Sequence, residues 1–230
     1  MMNRIFTSIL ILSLLLVGCV KRHGGGTEIF VPTNNQISTR KTRDAANNFC
    51  EITPLPNATM ENLTDAILSV SFAEGDAYVD DTGKMQMNLK IYTYDKYDMI
   101  DIANLKVGNT IIGHTGAVEV ISVEQDKAGR ILINGGLDAD GFNLATDDDG
   151  VFYEIGYNDA KNWYQIGEAT IRVSVDFKGI DNSDLDLGEV ILYPGDFLIG
   201  AVTNYDFTPY NTTIRVENGQ IVELNRRYIP

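Results

Sequence analysis

The chain has little of three residue types that often carry catalysis or hold small folds together. Its 230 residues include 2 cysteines, 2 histidines and 1 tryptophan. Two cysteines exclude a multi-disulfide scaffold, and a chain of this length can bury roughly 70% of its unfolded surface without one. Positive charge is also scarce, since 18 Lys and Arg against 32 Asp and Glu give a net charge of −14. This balance argues against nucleic acid as a partner, because phosphates would be repelled.

The N-terminus has an uncharged run that is too short to cross a membrane. The run extends over 13 residues from Ile5 to Val17, after a short start that contains Arg4. Thirteen helical residues rise about 20 Å, whereas the hydrocarbon core of a bilayer is about 30 Å thick. The pattern therefore predicts the hydrophobic region of a signal peptide and not a spanning helix.

The run ends in Leu16-Val17-Gly18-Cys19, which resembles the lipobox of bacterial lipoproteins. In that family the cysteine thiol receives a diacylglycerol, and cleavage before it exposes an amine that is usually acylated as well. The resemblance implies a cleaved signal peptide over residues 1–18 and a lipid anchor at Cys19. It places the protein on the extracytoplasmic side of a cell membrane or outer membrane. The alternative is a plain secretory peptide, but the bulky, basic residues 20–23 offer no small-residue cleavage site.

Residues 19–43 predict a lipidated cysteine followed by a basic, flexible tether. Gly24, Gly25 and Gly26 make the tether flexible, and five basic residues against Glu28 give it a net charge of +4. Residues 44–230 instead contain 12 Lys and Arg against 31 acids. Because anionic headgroups attract the tether and repel the body, we expect the domain to stand off the membrane. The alternative is that both compositions serve only solubility.

The body has the alternation of β-strands. In Lys84 to Tyr94, apolar residues occupy every second position, and Thr170 to Phe177 places Ile171, Val173, Val175 and Phe177 on one face. Asn218-Gly219 separates two further apolar stretches and predicts a hairpin turn. Short helices are predicted over 97–105, 159–165 and 196–202. Residues 44–230 are therefore predicted to be mainly β, as a β-sandwich or one to two small β-barrels. Two subdomains with a boundary near residues 135–150 remain an alternative.

Residues 77–230 also resemble uncharacterised bacterial lipoproteins. The shared features are Asp-rich segments, Gly135-Gly136-Leu137-Asp138 and Tyr157-Asn158-Asp159-Ala160-Lys161. The resemblance covers about two thirds of the chain. It implies an envelope protein but no activity.

Two acidic clusters raise the prospect of calcium binding, because Ca²⁺ takes six to eight oxygen ligands. Neither fits the EF-hand template, since Phe142 stands where a ligand is needed and Asn143 where glycine is needed. Asp and Gly also form ordinary turns, so calcium is kept only as an alternative. The first cluster contains Asp138, Asp140, Asp147, Asp148 and Asp149, and the second contains Asp181, Asp184, Asp186 and Glu189.

Catalytic motifs are lacking. Cys50 is typical of a small buried residue, and nothing places it near His114, the one histidine downstream of the tether. Paired carboxylates of a hydrolase are an alternative, but 31 acids downstream of the tether make any particular pair arbitrary. No catalytic residue and no metal ligand is therefore assigned.

Aromatic side chains are the remaining candidates for ligand binding. Tyr157, Trp163 and Tyr164 lie among amide and charged residues, which suits stacking on sugars or burial of peptide side chains. The alternative is that Trp163 anchors a core. We therefore expect a lipid-anchored, extracytoplasmic binding or structural module of a bacterial envelope, with a glycan or protein ligand. A carboxylate-based hydrolase and a calcium-binding envelope protein are the alternatives.

Overall fold

The computed structural model describes residues 50–146, 150–202 and 204–229. The predicted signal peptide, Cys19 and the tether lie outside these residues. The described residues form fifteen β-strands, two short α-helices and one turn of 3-10 helix at Leu137–Ala139, so the prediction of a mainly β fold is confirmed. In chain order the elements are β1 (Glu51–Ile52), β2 (Ala66–Ser71), β3 (Ala77–Val79), β4 (Met85–Thr93), β5 (Lys96–Tyr97), α1 (Met99–Ala103), β6 (Thr110–Gly113), β7 (Gly116–Glu119), β8 (Val123–Gln125), β9 (Ile131–Ile133), β10 (Phe142–Thr146), β11 (Phe152–Ile155), β12 (Tyr164–Asn182), β13 (Val190–Leu192), α2 (Pro194–Leu198), β14 (Thr212–Glu217) and β15 (Gln220–Arg227).

Seven strands form one sheet that closes partly on itself. Their order is β13-β12-β15-β14-β2-β4-β3, and a further pairing of β12 with β4 joins five of them into a ring. The length of β12 allows this closure. Its residues 164–172 pair antiparallel with β4, and residues 172–182 pair parallel with β15. We call these five strands, β2, β4, β12, β14 and β15, the ring.

The alternating residues of the sequence line the inside of the ring. On β4, Met87, Leu89 and Ile91 are buried as the period of two predicted. Asn218 and Gly219 form the turn between β14 and β15, with φ angles of 50° and 70° that suit these two residue types. The buried hydrophobic cluster of the ring and its flanks comprises Ala66, Leu68, Val70, Phe72, Ala77, Met87, Leu89, Ile91, Ile171, Val173, Phe177, Leu192, Phe197, Val202, Phe207, Ile214, Val216, Ile221 and Leu224.

One strand departs from the predicted alternation. Val175 was predicted to point inward, but it is 86% exposed, so that prediction is wrong. The pairing of β12 with β15 shifts register between Val173 and Lys178. Such a bulge places extra residues on one strand and turns their side chains away from the expected face.

Residues 94–163, which we call the insert, lie between β4 and β12. They form a five-stranded sheet, β5-β11-β10-β9-β8, and with β1 a three-stranded sheet, β1-β6-β7. Thr93 and Tyr164 are partners in the β4–β12 register, so the insert begins and ends at neighbouring positions. The alternative of two subdomains with a boundary near residues 135–150 stays a prediction. A second buried cluster comprises Ile52, Tyr97, Ile102, Leu105, Ile111, Val120, Ile133 and Leu144.

Two of the three predicted helices are present. Helix α1 falls within residues 97–105, and α2 overlaps residues 196–202. The helix predicted over 159–165 is wrong, because Asp159 adopts a φ of 58° in a turn and β12 begins at Tyr164.

Candidate functional site

Three side chains with metal-binding chemistry meet where the ring joins the insert. Asp95 follows β4, His114 lies in the turn between β6 and β7, and Glu154 lies on β11. One carboxylate oxygen from each acid and one imidazole nitrogen all lie within 4.8 Å of one another. We call these three residues the Asp–His–Glu cluster.

Backbone pairing and a glycine bring the cluster together. The Glu154 amide donates to the Asp95 carbonyl at 3.4 Å, and Tyr153 pairs with Lys96 one position along each strand. Gly113 covers the two acids. A Cβ built on Gly113 would lie 3.7 Å from both Asp95 Oδ2 and Glu154 Oε2, which is ordinary contact distance. The glycine thus leaves a small space above the two carboxylates.

The carboxylate of Asp95 is buried and only half satisfied. The residue is 3% exposed. Its Oδ1 accepts a 2.8 Å hydrogen bond from the Tyr164 hydroxyl and a weak one, at 3.5 Å, from Asn57 Nδ2. Its Oδ2 is buried and has no hydrogen-bond partner among the described residues. A buried polar atom in this condition costs free energy, so Oδ2 points to a partner that the described chain does not supply.

Glu154 and His114 complete the cluster beside Asp95. Glu154 is 9% exposed, and its Oε1 accepts a 2.7 Å hydrogen bond from Asn162 Nδ2. Its Oε2 lies 3.6 Å from His114 Nδ1. The His114 side chain is 25% exposed, which leaves the cluster one side open to solvent.

Two tyrosines beside the cluster have raised pKa values. Burial raises the pKa of Tyr97 far above its usual value, and the charges of Asp95 and Glu154 raise it further. Burial also raises the pKa of Tyr164, and its hydrogen bond to Asp95 adds to the effect. The Tyr97 hydroxyl donates to the Ile112 carbonyl at 3.1 Å. Two carboxylates and an imidazole placed this close together favour a cation beside them.

The three aromatic residues predicted to bind a ligand make different contacts. Tyr164 belongs to the surroundings of the cluster, where its ring stacks on His114 with centroids 4.8 Å apart. Trp163 packs edge-on against Tyr94 at 4.6 Å and against Tyr210 at 6.3 Å. Tyr157 is 77% exposed, and its hydroxyl donates to the Leu137 carbonyl. Their shared ligand-binding role stays a prediction.

The acidic loop considered for calcium is described only in part. Asp138 lies on the exposed turn of 3-10 helix, and Asp140 follows it with a φ of 58°. Asp147, Asp148 and Asp149 lie outside the described residues. Calcium binding at this loop therefore stays a prediction.

The second acidic cluster makes internal contacts. Asp181 forms a buried ion pair with Arg226, with Oδ1 to Nε at 2.9 Å and Oδ2 to Nη2 at 2.6 Å. Asp184 accepts hydrogen bonds from the amides of Asp186 and Leu187, as in an ordinary Asx turn. These contacts account for two of its four acids without a metal.

The Asp–His–Glu cluster is not predicted by any motif in the sequence. Asp95, His114 and Glu154 are far apart in the chain, and none sits in a recognisable ligand spacing. His114 was considered only as a base for Cys50, which is half-buried beside the hydrophobic cluster of the insert. No local signal marks the three residues, because they meet only through the pairing of β5, β6 and β11 with their neighbours.

Comparisons with known proteins return no relative: no family model, no curated protein and no solved structure matches this chain. In the part of the chain that the structure describes, neither α-helix has the length and apolar character needed to cross a membrane.

Proposed function

We propose that this protein is a lipid-anchored, extracytoplasmic binding module of a bacterial envelope, and that its folded domain binds a divalent cation at the Asp–His–Glu cluster. The anchoring half of the proposal rests on the sequence Leu16-Val17-Gly18-Cys19. The binding half rests on the geometry at the junction of ring and insert.

One observation carries the binding proposal: the buried Oδ2 of Asp95 has no hydrogen-bond partner among the described residues. It faces the space below Gly113 that Glu154 Oε2 also faces. Two carboxylates at such close range repel each other in a buried setting, and a doubly charged cation between them would remove that repulsion. A hydrogen-bond donor on a ligand would satisfy Oδ2 as well, but it would not balance two negative charges.

Burial favours an ion over a polymer substrate. A carboxylate-based hydrolase must bring its pair of acids against a sugar ring or a peptide. Asp95 is 3% and Glu154 9% exposed, which leaves the pair little access to a large substrate. Two surface grooves, of about 330 and 450 Å³, are lined by other residues. The cluster therefore supports a hydrolase less well than it supports cation binding.

Calorimetry of the mature lipoprotein in detergent, purified without a polyhistidine tag, tests the binding half. We expect one site for a divalent cation in a panel of Mg²⁺, Ca²⁺, Mn²⁺ and Zn²⁺. Asp95→Asn should weaken binding by at least about tenfold, whereas Asp176→Asn, which changes an exposed acid on β12, should not. Absence of binding by every cation, or equal binding by the Asp95→Asn variant, would refute this half.

Fractionation of cells tests the anchoring half separately. Wild-type protein should sediment with the envelope and take up labelled fatty acid, and Cys19→Ser should do neither. Envelope association that is unchanged in the Cys19→Ser variant would contradict the lipid anchor without touching the cation site.

A further inference from the structure

We infer that the Asp–His–Glu cluster selects a transition-metal ion of the zinc class over Ca²⁺ and Mg²⁺, and that Tyr164 is the residue that positions two of its three ligands. This inference rests on the proposed function, since it names the ligand of the same site.

The donor set decides the class of metal. Calcium takes six to eight oxygen ligands, and Mg²⁺ demands a near-octahedral set while retaining several waters. The cluster offers two carboxylates and one imidazole within 4.8 Å, in a space that a glycine leaves open. Imidazole suits zinc and its neighbours, and zinc also accepts carboxylate oxygens. Three protein ligands on Zn²⁺ leave one position for water.

Tyr164 contacts two of the ligands at once. Its hydroxyl donates to Asp95 Oδ1 at 2.8 Å, so the other oxygen, Oδ2, is the one left to face the cluster. Its ring stacks on the His114 imidazole at 4.8 Å with an angle of 16° between the planes. A single side chain at the start of β12 therefore holds a ligand that follows β4 and a ligand from the β6–β7 turn.

Asn162 acts in the same way on the third ligand. Its amide donates to Glu154 Oε1 at 2.7 Å and leaves Oε2 toward His114. Hydrogen bonds of this kind fix the orientation of metal ligands, and losing one typically lowers metal affinity by about 10 to 100-fold. Asn162 and Tyr164 lie two residues apart, where the chain passes from the insert into β12. This short segment therefore supplies both contacts.

The metal class is tested by titrating the mature lipoprotein with Zn²⁺, Co²⁺, Ca²⁺ and Mg²⁺. We expect the Kd for Zn²⁺ to be at least about tenfold below that for Ca²⁺. His114→Asn should remove this preference, because an amide replaces the imidazole. If Ca²⁺ binds as tightly as Zn²⁺ and His114→Asn changes neither, the metal class is overturned while cation binding stands. If no cation binds at all, the proposed function itself fails.

The role of Tyr164 is tested with Tyr164→Phe, which keeps the stacked ring and removes the hydroxyl. We expect a loss of about 10 to 100-fold in Zn²⁺ affinity and a changed visible spectrum of bound Co²⁺. Tyr78→Phe, on the exposed part of β3, is the matched control and should change neither. An unaltered affinity and spectrum in Tyr164→Phe would overturn the positioning role.

Measurements on the metal-free protein show whether Tyr164→Phe acts on the fold or on the positions of the metal ligands. Tyr164→Phe without metal should keep the wild-type circular dichroism and melting temperature within a few degrees. If the variant does not fold, Asn162→Ser replaces it, since it removes the contact to Glu154 Oε1 and leaves Tyr164 in place. Unchanged Zn²⁺ affinity in Asn162→Ser would then count against the idea that residues 162–164 orient the metal ligands.

Discussion

The ring and the insert differ in the size of their hydrophobic clusters and in the length of their strands. The buried cluster of the ring and its flanks contains nineteen hydrophobic residues, and that of the insert contains seven, joined by Ile52 of β1. Ring strands are longer, and their residues alternate between buried and more exposed positions. Insert strands are two to five residues long and are joined by turns. Since apolar burial is the main favourable term in folding, the ring carries the larger share of the stability. The insert contributes all three members of the Asp–His–Glu cluster.

Tyr164, the first residue of β12, contacts the insert through a hydrogen bond to Asp95 and a stacked ring on His114. No described residue belongs to both buried clusters. Within the insert and close to the junction, the Lys161 ammonium lies 4.4 Å from the ring centroid of Tyr94 and 4.9 Å from that of Tyr153. Trp163 packs against Tyr94 of the same region. Stability and binding chemistry are thus placed in different parts of the chain, with the candidate site at their boundary.

Removing the insert is the strongest test of this comparison. Thr93 and Tyr164 pair directly, so an Asn-Gly turn in place of residues 94–163 would connect β4 to β12 as a hairpin. We expect the shortened protein to keep β-type circular dichroism and a cooperative melt, and to lose the cation site. An unfolded product would show that the ring depends on the insert for its stability.

Breaking the buried ion pair should damage the ring most among single changes. Asp181→Asn removes the carboxylate that accepts two hydrogen bonds from Arg226 and should cost about 3–5 kcal/mol of the free energy of unfolding, measured by urea denaturation at pH 7. Asp186→Asn, in the exposed loop that follows, is the control.

Acid should act on the same pair. Burial alone would raise the pKa of Asp181, but hydrogen bonds from Arg226 and Ser183 outweigh it and hold the pKa below the ordinary value of an aspartate. The contribution of the pair is therefore fully present above about pH 4 and is lost as pH falls through the lower folded value. Unfolding free energies measured from pH 6 to pH 2 should fall more steeply for wild type than for Asp181→Asn. Parallel curves would contradict this assignment.

Truncating one core residue in each region should sharpen the contrast. Leu224→Ala in the ring and Leu144→Ala in the insert should each cost about 2–5 kcal/mol locally, because both residues are fully buried. Hydrogen exchange measured by mass spectrometry should show faster exchange throughout the ring for Leu224→Ala, and in the insert alone for Leu144→Ala. Equal spreading of both effects over the whole chain would mean that the regions unfold as one.

The smallest effect is expected at a turn of the ring. Gly219 has a φ of 70° and open space where a Cβ would lie. Gly219→Ala should therefore cost about 1 kcal/mol through backbone strain alone. Gly195→Ala is the control, because its φ is not in the left-handed region and the space for a Cβ is also open, so it should cost less. Thermal denaturation of both variants measures the difference.

The ring was largely predictable from sequence, because local rules built it. Every second residue from Met87 to Ile91 is buried, and Asn218-Gly219 forms the expected turn. Val175 broke the pattern since a bulge depends on the partner strand, which the sequence of β12 does not reveal. The Asp–His–Glu cluster could not be predicted, because its members are brought together by pairing between distant strands. Tyr164 was singled out for its aromatic ring, but its contact to Asp95 was not foreseen.

The placement of the insert between two paired strands has a consequence for synthesis. Strand β4 is complete before the insert is made, yet its partner β12 emerges about 70 residues later. At about 5–20 residues per second, the edge of β4 waits roughly 4 to 14 seconds for that partner. An unpaired strand edge invites association with other chains. Slowing elongation within residues 94–163 would therefore lengthen the window in which nascent chains can aggregate, and a holding chaperone would be most useful during that interval.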